Sequence, residues 1–341
     1  MALPSSGAIS LSQVNVELNL GATATINMGS SGVRGLFAVA SGAISMSNGY
    51  GKANAFTFTR TISSSVQNYN LRSAMISEGY AGSGAFTANI TINSGVYVWS
   101  DSTATAGFDT GSLSGGTINI TNNGFIIGKG GSGGHQAGNG SIGGPAMSLS
   151  HSVNMTNNSY IAGGGGGGHG GYAADQVPGR SGGGGGAGGG AGGGSTGLDG
   201  TFGGGAGGAI GARGGNSSGQ SACYSAGGGG RQLPGAGGVS TQYSSNYANT
   251  GGGAGGSGGM SMGFNMQYGP QPSTDGAGGG GGGWGAGGGQ RKNGSSYTGP
   301  GGAGGATGGS SAGGAAGGKA IALNGNSITF NTTGTVYGAT S

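Results

Sequence analysis

The sequence predicts a mainly β and irregular protein: a small N-terminal α/β docking module, a β-rich shaft of stacked strands, and a slab of packed threefold glycine rods with loops at its ends. Three observations carry that expectation. Glycine supplies 99 of 341 residues, with only 7 prolines and 5% charged residues. A rung-like pattern recurs, TINITNNGFIIG from Thr117 aligning with SVNMTNNSYIAG from Ser152 at an offset of 35. The longest glycine runs lie between copies of that pattern. Glycine near one third would suit collagen, but collagen needs a strict Gly-X-Y period and abundant proline, and runs such as GGGGGG have neither.

Residues 1–54 have ordinary composition and an internal echo: SGAISLSQ from Ser6 matches SGAISMSN from Ser41, with a partial third copy at Ile26 to Gly29. Each copy reads as a short extended pair, and helical turns are expected at Gln13 to Leu18 and Val33 to Ala38. So few apolar positions can hardly bury a core alone, which makes a packing partner for this module the expectation.

From Phe56 the texture changes. Phe56-Thr57-Phe58-Thr59 alternates as a half-buried strand does, and Asn70 is placed to cap a helix over Leu71 to Glu78 that Gly79 ends. The repeated pattern follows, with a looser copy in NITINSGVYV from Asn89 and a last one in ITFNTTGTVYG near the C-terminus, Ile328 matching Ile118. Each copy is apolar-x-apolar, then a polar Asn/Thr/Ser/Gly turn in which Asn and Gly supply left-handed conformations, then two or three apolar residues. One such rung cannot bury its apolar face, so rungs stack. This assigns 55–162 to the shaft and 319–341 to strands returning to it, with 163–318 inserted between.

The insertion holds glycine-dense runs at Gly163 to Gly171, Gly182 to Gly194, Gly203 to Gly211, Gly227 to Gly230, Gly251 to Gly259, Gly278 to Gly289 and Gly301 to Gly318. A Gly-rich chain is slack by default, because glycine loses the most conformational freedom on ordering. An extended threefold rod has about 3.1 Å rise per residue and no internal hydrogen bonds, so every N–H and C=O points outward. Alone in water such a rod loses roughly 1–2 kcal/mol per ordered residue. Bundled rods can exchange hydrogen bonds of about 0.5–1.5 kcal/mol each, with Cα–H···O contacts added, provided no Cβ stands between them. Ala187, Ala191, Ala206, Ser257 and Trp284 are therefore expected on outer faces or sheet-covering positions.

Side-chain chemistry is confined to the segments between runs: YAADQVPGRS from Tyr172, RGGNSSGQSACYSA from Arg213, STQYSSNYANT from Ser240, MSMGFNMQYGPQPSTD from Met260 and QRKNGSSYTGP from Gln290. Rigid aromatics mixed with adaptable polar groups suit recognition loops. The candidate recognition residues are Tyr172, Arg180, Arg213, Tyr224, Tyr243, Tyr247, Met260, Met262, Phe264, Met266, Tyr268, Arg291, Lys292 and Tyr297.

Catalytic and metal readings fall away. GxSxG at Gly130 to Gly134 and Gly255 to Gly259 lacks the helix a nucleophile elbow requires. Gly124 to Lys129 is one residue short of a P-loop and has no Ser/Thr after the lysine. His135, His151 and His169 occupy unrelated rung positions, so no shared metal site is expected. Glu17, Glu78, Asp101, Asp109, Asp175, Asp199 and Asp275 form no close pair of the kind glycosidases use, and Asp101 and Asp109 read as turn caps. No enzyme activity and no cofactor is expected. The net charge is +4, but the eleven basic residues are scattered, Arg291-Lys292 being the only adjacent pair, so no nucleic acid is expected as a partner. Cys223 is the single cysteine, and the N-terminus MALPSSG lacks the n- and h-regions of a signal peptide. The chain is expected to be made in a cytosol and to stay soluble.

Glycine blocks such as GGGGGAGGGAGGG alternating with aromatic loops resemble the monomeric adhesins at the tips of T-even-type bacteriophage long tail fibres. The likeness covers roughly Gly163 to Gly318, and TNNGFIIGKGGSGG and ALPSSGAISLSQVNVEL also resemble segments of phage tail proteins. The resemblance implies a sandwich of polyglycine-II helices whose tip loops contact a bacterial outer-membrane protein or glycan receptor. It further implies docking of the N-terminal module on a phage tail or tail-fibre protein, synthesis in the host cytoplasm, and a place in the virion at the tail or fibre tip. Two rivals remain at this stage: a glycine-helix antifreeze-like protein, which would need a repeating Thr or Ala grid that the glycine runs lack, and a purely structural tail-tip protein.

Overall fold

The computed structural model describes residues 2–18, 20–54, 56–80, 82, 84–135, 138–172, 180–181, 184–197, 200–202, 206–207, 220–221, 224–225, 264–265, 269–270, 281–285 and 315–341. Strands dominate, with few helices. The N-terminal segment holds α1 (Leu11–Glu17), α2 (Ser31–Phe37) and a short 3-10 helix at Met46–Gly49. The strands expected there do not form among its described residues. The reason lies in the echo itself, which encodes helix starts: Ser10 N–H donates to Gln13 Oε1 and Ser45 N–H to Asn48 Oδ1, both at 2.8 Å, closing a capping box in each copy. Ile9, one residue before the first cap, and Val14, four after it, are both buried in the small core of this segment beside Val33, Leu36 and Phe37. The buried Glu17 carboxylate accepts from Asn54 N–H at 2.9 Å and ties the segment to the start of the shaft.

The shaft is a parallel β-solenoid with three faces. One sheet runs β1 (Phe56–Ile62), β4 (Phe86–Ile92), β7 (Gly116–Asn122), β10 (Val153–Asn157), β21 (Ile328–Thr332). The second runs β2 (Val66–Gln67), β5 (Tyr97–Trp99), β8 (Phe125–Ile127), β11 (Tyr160–Ala162), β22 (Thr335–Tyr337), and the third β3 (Tyr69–Asn70), β6 (Phe108–Asp109), β9 (Met147–Ser148), β20 (Ile321–Ala322). Between them lie short strands β12 (Gly171–Tyr172), β13 (Arg180–Ser181), β14 (Ser195–Gly197), β15 (Gly200–Phe202), β16 (Gln220–Ser221), β17 (Tyr224–Ser225), β18 (Phe264–Asn265) and β19 (Gly269–Pro270).

Phe58, Ala88, Ile118, Val153 and Ile328 stack in register, so the period-two alternation of each rung feeds one continuous apolar column. A helix, α3 (Leu71–Ser77), begins at Asn70, whose Oδ1 accepts from Ser73 N–H at 2.9 Å, and it buries Leu71 and Met75 against the same core. Asp109 caps a turn by accepting from Gly111 N–H at 3.0 Å, whereas Asp101 accepts from the Asn68 side chain at 2.8 Å.

The rung asparagines serve differently from the expectation. Among described residues outside glycine, only Ala38, Asn68 and Asn324 have positive φ, so the turn asparagines of the repeat are not left-handed. They form side-chain ladders along the solenoid: the fully buried Asn122 donates from Nδ2 to Asn157 Oδ1 at 2.8 Å, and Asn157 donates onward to the Thr333 carbonyl at 2.6 Å. Outside, Asn119 donates to Asn89 and Asn154 to Asn119. An aromatic column, Tyr97, Phe125, Tyr160 and Tyr337, stacks with centroid spacings of 4.7, 5.5 and 6.0 Å.

Beyond Ile127 and Ala162 the paired strands β8 and β11 continue as glycine segments. Gly128, Gly131 and Gly134 donate to the carbonyls of Ala162, Gly165 and Gly168 at 2.9, 2.8 and 2.8 Å, one bond every third residue. Segment 163–170 bonds to four further described segments. Gly164, Gly167 and Gly170 donate to Gly144, Ser141 and Gly138, and Gly165 and Gly168 donate to Ala187 and Gly184. Gly163 and Gly166 accept from Gly285 and Gly282, and Gly164 and Gly167 from Gly318 and Ala315. A Cβ built on Gly164 would overlap the Lys129 carbonyl, and one on Gly166 the Ala315 carbonyl.

The run Gly182 to Gly194 hides a turn at 187–189, with Gly188 and Gly189 at φ +96° and +78°. Ala187 and Trp284 cover the end of the second sheet, packed with Ile127 and Ala162, while Ala191 is half-buried and Ala206 exposed. Ser257 lies outside the described residues.

Two outcomes follow. Asn157→Ala removes the buried acceptor of one Asn122 amide bond, leaving that amide only the Tyr160 carbonyl at 3.1 Å, and breaks the Asn157 bond to the Thr333 carbonyl; it lowers stability by about 1–3 kcal/mol in denaturant unfolding of the protein. Gly164→Ala forces two backbones apart and prevents native assembly or lowers the melting temperature by roughly 10 °C or more, whereas Gly35→Ala, with open space around its Cβ, stays near wild type.

Candidate functional site

Segment 163–170 leaves the shaft at Ala162 and runs eight residues, about 25 Å at the rise of an extended threefold chain. It delivers β12, whose Tyr172 pairs with Arg180 of the antiparallel β13. β13 runs parallel to β17 through Ser181 and Ser225, and β17 pairs antiparallel with β16. The turn at 187–189 lies at the shaft end, since Gly130 donates to Gly188 at 3.0 Å, so the chain then travels outward again, with Gly133 donating to Ala191 at 2.8 Å. It arrives at the β14–β15 hairpin, where β14 lies beside β13 and β17. The backbone therefore gathers three excursions at the end of the slab far from the shaft.

Of the candidate recognition residues, Tyr172, Arg180 and Tyr224 come together on this four-stranded sheet. Phe264 sits on β18, paired with Pro270 of β19. Arg213, Tyr243, Tyr247, Met260, Met262, Met266, Tyr268, Arg291, Lys292 and Tyr297 lie outside the described residues.

Charge is sparse around the slab. At its root, burial lowers Lys129 below the usual lysine value, and the nearby Asp101 carboxylate opposes the shift. His169, buried near the far end, has its Nδ1 on the Gly170 carbonyl, and His135 is exposed.

One excursion was missed in the sequence reading, which placed residues 128–144 inside the shaft. They run out as 128–134, turn where Gly138 donates to the His135 carbonyl at 2.9 Å, and return as 138–144 against segment 163–170. The signal was available: TNNGFIIGKGGSGGH and TNNSYIAGGGGGGHG stay aligned beyond the rung itself.

A solenoid shaft carrying a glycine platform, with side-chain-bearing hairpins concentrated at the platform's outer end, defines a display-type binding protein. Sequence comparison makes this specific. Residues 57–238 match the family model of the phage tail fibre adhesin Gp38, and the chain belongs to that family. It is a receptor-binding adhesin of a bacteriophage tail fibre. The crystal structure of the gp37–gp38 adhesin tip complex of the bacteriophage S16 long tail fibre is similar over 99% of this chain and 100% of that chain, with 18% identity and a TM-score of 0.46. Among curated proteins none matches the sequence. Nothing in these comparisons favours an antifreeze-like or purely structural role.

Proposed function

We propose that this adhesin stands at the fibre tip, docks through residues 1–54 on a tail or tail-fibre protein, and binds an outer-membrane protein of the host through loops between polyglycine-II helices. The shaft is 55–162, the receptor-binding domain 163–318, and 319–341 closes the shaft. The protein is made in the host cytoplasm and acts at the host surface by binding, with no chemistry on its receptor. The observation that carries this reading is the hydrogen bonding of segment 163–170, which meets each neighbour every third residue. That period belongs to a threefold helix without internal bonds, and a sandwich of such helices is the arrangement that brings the loops to one end.

The docking role of 1–54 is supported by Leu11, Val16 and Leu20, which are 44%, 49% and 44% exposed in a segment whose own core is small. The recognition role rests on Tyr172, Arg180 and Tyr224, gathered by backbone pairing, together with Arg213, Tyr243, Tyr247, Met260, Met262, Phe264, Met266, Tyr268, Arg291, Lys292 and Tyr297 from the remaining loops. The three methionines in MSMGFNMQY, soft apolar side chains, favour a protein surface over a glycan.

Exchanging Arg213 to Ala226 and Met260 to Asp275 for unrelated loops of equal length lowers host adsorption by roughly a hundredfold, the loss of a few anchor side chains. Adsorption equal to wild type rejects these loops as the receptor site. Protease treatment of host cells abolishes adsorption when the receptor is a protein and spares it when the receptor is a glycan.

A further inference from the structure

The outer face of the first sheet repeats one pattern. Along β1, Thr57, Thr59 and Thr61 are exposed, while Phe58 and Ile62 between and beside them are buried. β4 and β7 carry Thr-x-Asn-x-Thr at the matching positions, 87–91 and 117–121, paired residue for residue. Asn154 and Thr156 of β10 continue two of the three rows, and the Ser152 and Ser327 hydroxyls, bonded at 3.0 Å, lie just ahead of β10 and β21. With strands about 4.8 Å apart and alternate side chains about 6.6 Å apart, the rows span a grid of roughly 19 Å by 13 Å.

Valine or isoleucine would suit these strands equally well. The outward positions nevertheless hold only Thr, Asn and Ser, whereas the outer face of the second sheet carries Tyr97, Trp99, Phe125 and Tyr160. Arg60, the one charged residue of the five strands, belongs to the inward series: its guanidinium lies 5.6 Å from the Phe58 ring centre and pairs with Glu78. At the border of the grid the His151 ring packs against Phe86 at 5.5 Å.

The middle row holds its amides in place. Asn154 donates to Asn119 Oδ1 at 3.0 Å, and Asn119 donates to Asn89 Oδ1 at 2.9 Å. Asn119 thus spends one N–H and one lone pair in the ladder and keeps the second of each, flanked by threonine hydroxyls that can donate or accept. Adjacent hydroxyls of a sugar ring offer the matching acceptor and donor. Other partners fit poorly. A protein interface draws on Tyr, Trp, Phe, Met or Arg anchors, and a nucleic acid or an anionic lipid surface needs Lys or Arg; the grid has none of these.

We propose that the outer face of the first sheet is a glycan-binding site, separate from the slab, that takes an uncharged, hydroxyl-rich polysaccharide chain of the host envelope. A repeating polymer meets a repeating grid, so individually weak contacts act together along the chain.

The test measures binding of the purified full-length protein to uncharged host-envelope polysaccharide, freed of lipid and immobilised on a sensor. Wild type binds it. Thr87→Val/Thr91→Val/Thr117→Val/Thr121→Val removes four hydroxyls beside the amide ladder with strand preference kept, and weakens binding about tenfold or more at a near wild-type melting temperature. No binding by wild type, or equal binding by this variant, overturns the proposal. Thr117→Lys/Thr121→Lys keeps the amide ladder and lays two charged chains across the grid. It too loses binding, and full retention overturns the proposal whatever the first variant does. Tighter binding of wild type to acidic polygalacturonate than to the neutral polysaccharide overturns the uncharged class. The Arg213 to Ala226 and Met260 to Asp275 exchanges leave polysaccharide binding intact. If they abolish it, the glycan sits on the slab and this proposal fails; if they spare both polysaccharide binding and host adsorption, only the reading of those loops as the receptor site fails.

Discussion

The whole molecule depends on the hydrogen bond between two extended backbones lying side by side. In the shaft it appears as the parallel ladder, with strands about 4.7–4.9 Å apart. In the slab it appears between glycine segments. The changeover is visible in one pair of chains: Gly128 donates to Ala162 as the last step of the β8–β11 ladder, and Gly131 and Gly134 repeat the bond at every third residue without a break in register. The stacked rungs thus set the spacing at which the glycine segments leave the shaft. What changes at Gly128 and Gly163 is only the direction in which successive N–H groups point. A strand sends them alternately to two neighbours, and a threefold chain spreads them around its axis.

That geometry explains why glycine is required and why it is sufficient. Ordering each residue costs roughly 1–2 kcal/mol, and each bond returns about 0.5–1.5 kcal/mol, so a free glycine bundle sits near balance. The shaft tips it. Ile127 and Ala162 enter the slab already paired, and Ile321 receives the chain back into a ladder with Met147. Ala187 and Trp284 close the junction with apolar contact, Ala187 at the 187–189 turn beside the shaft end. The long excursion between β11 and β20 is therefore an elaboration inside one solenoid turn, clamped on both sides by strands of the fourth rung.

Legibility in the sequence follows from where side chains carry information. The rungs from Asn89, Thr117, Ser152 and Ile328 could be read because an alternating apolar pattern meets a polar turn in each. The first rung, β1 to β3, was seen only as one strand, since Ser63-Ser64-Ser65 stands where later rungs have asparagine. Strands of the third sheet are two residues long and leave no period to detect. The N-terminal echo was read as strand because its Ile-Ser-Leu and Ile-Ser-Met triplets alternate, but Gln13 and Asn48 three residues after Ser10 and Ser45 decide for capping. The turn at 187–189 was invisible because a glycine text has no contrast, and 128–144 was hidden because Lys129, Ser132 and His135 dilute it. Of the candidate site, sequence marked which segments between the glycine runs hold aromatic and polar side chains. Backbone pairing was needed to show that Tyr172, Arg180 and Tyr224 share one small sheet.

A lattice held by main-chain bonds separates the demands on the two kinds of residue. Within the rods a side chain larger than hydrogen at a buried glycine such as Gly164 or Gly166 meets a neighbouring carbonyl, so those positions tolerate almost no variation. Among the described residues the bonds between rods run from main chain to main chain, so substitutions beyond the rod ends leave those bonds in place. Because adjacent segments lie at about strand spacing, the bases of neighbouring loops are only a few ångströms apart. On the proposed reading, a receptor meets several loops at once and its affinity is distributed over them in small increments. On that reading the rigidity of the platform supplies the remaining part, since anchors held in position lose little entropy when a receptor arrives.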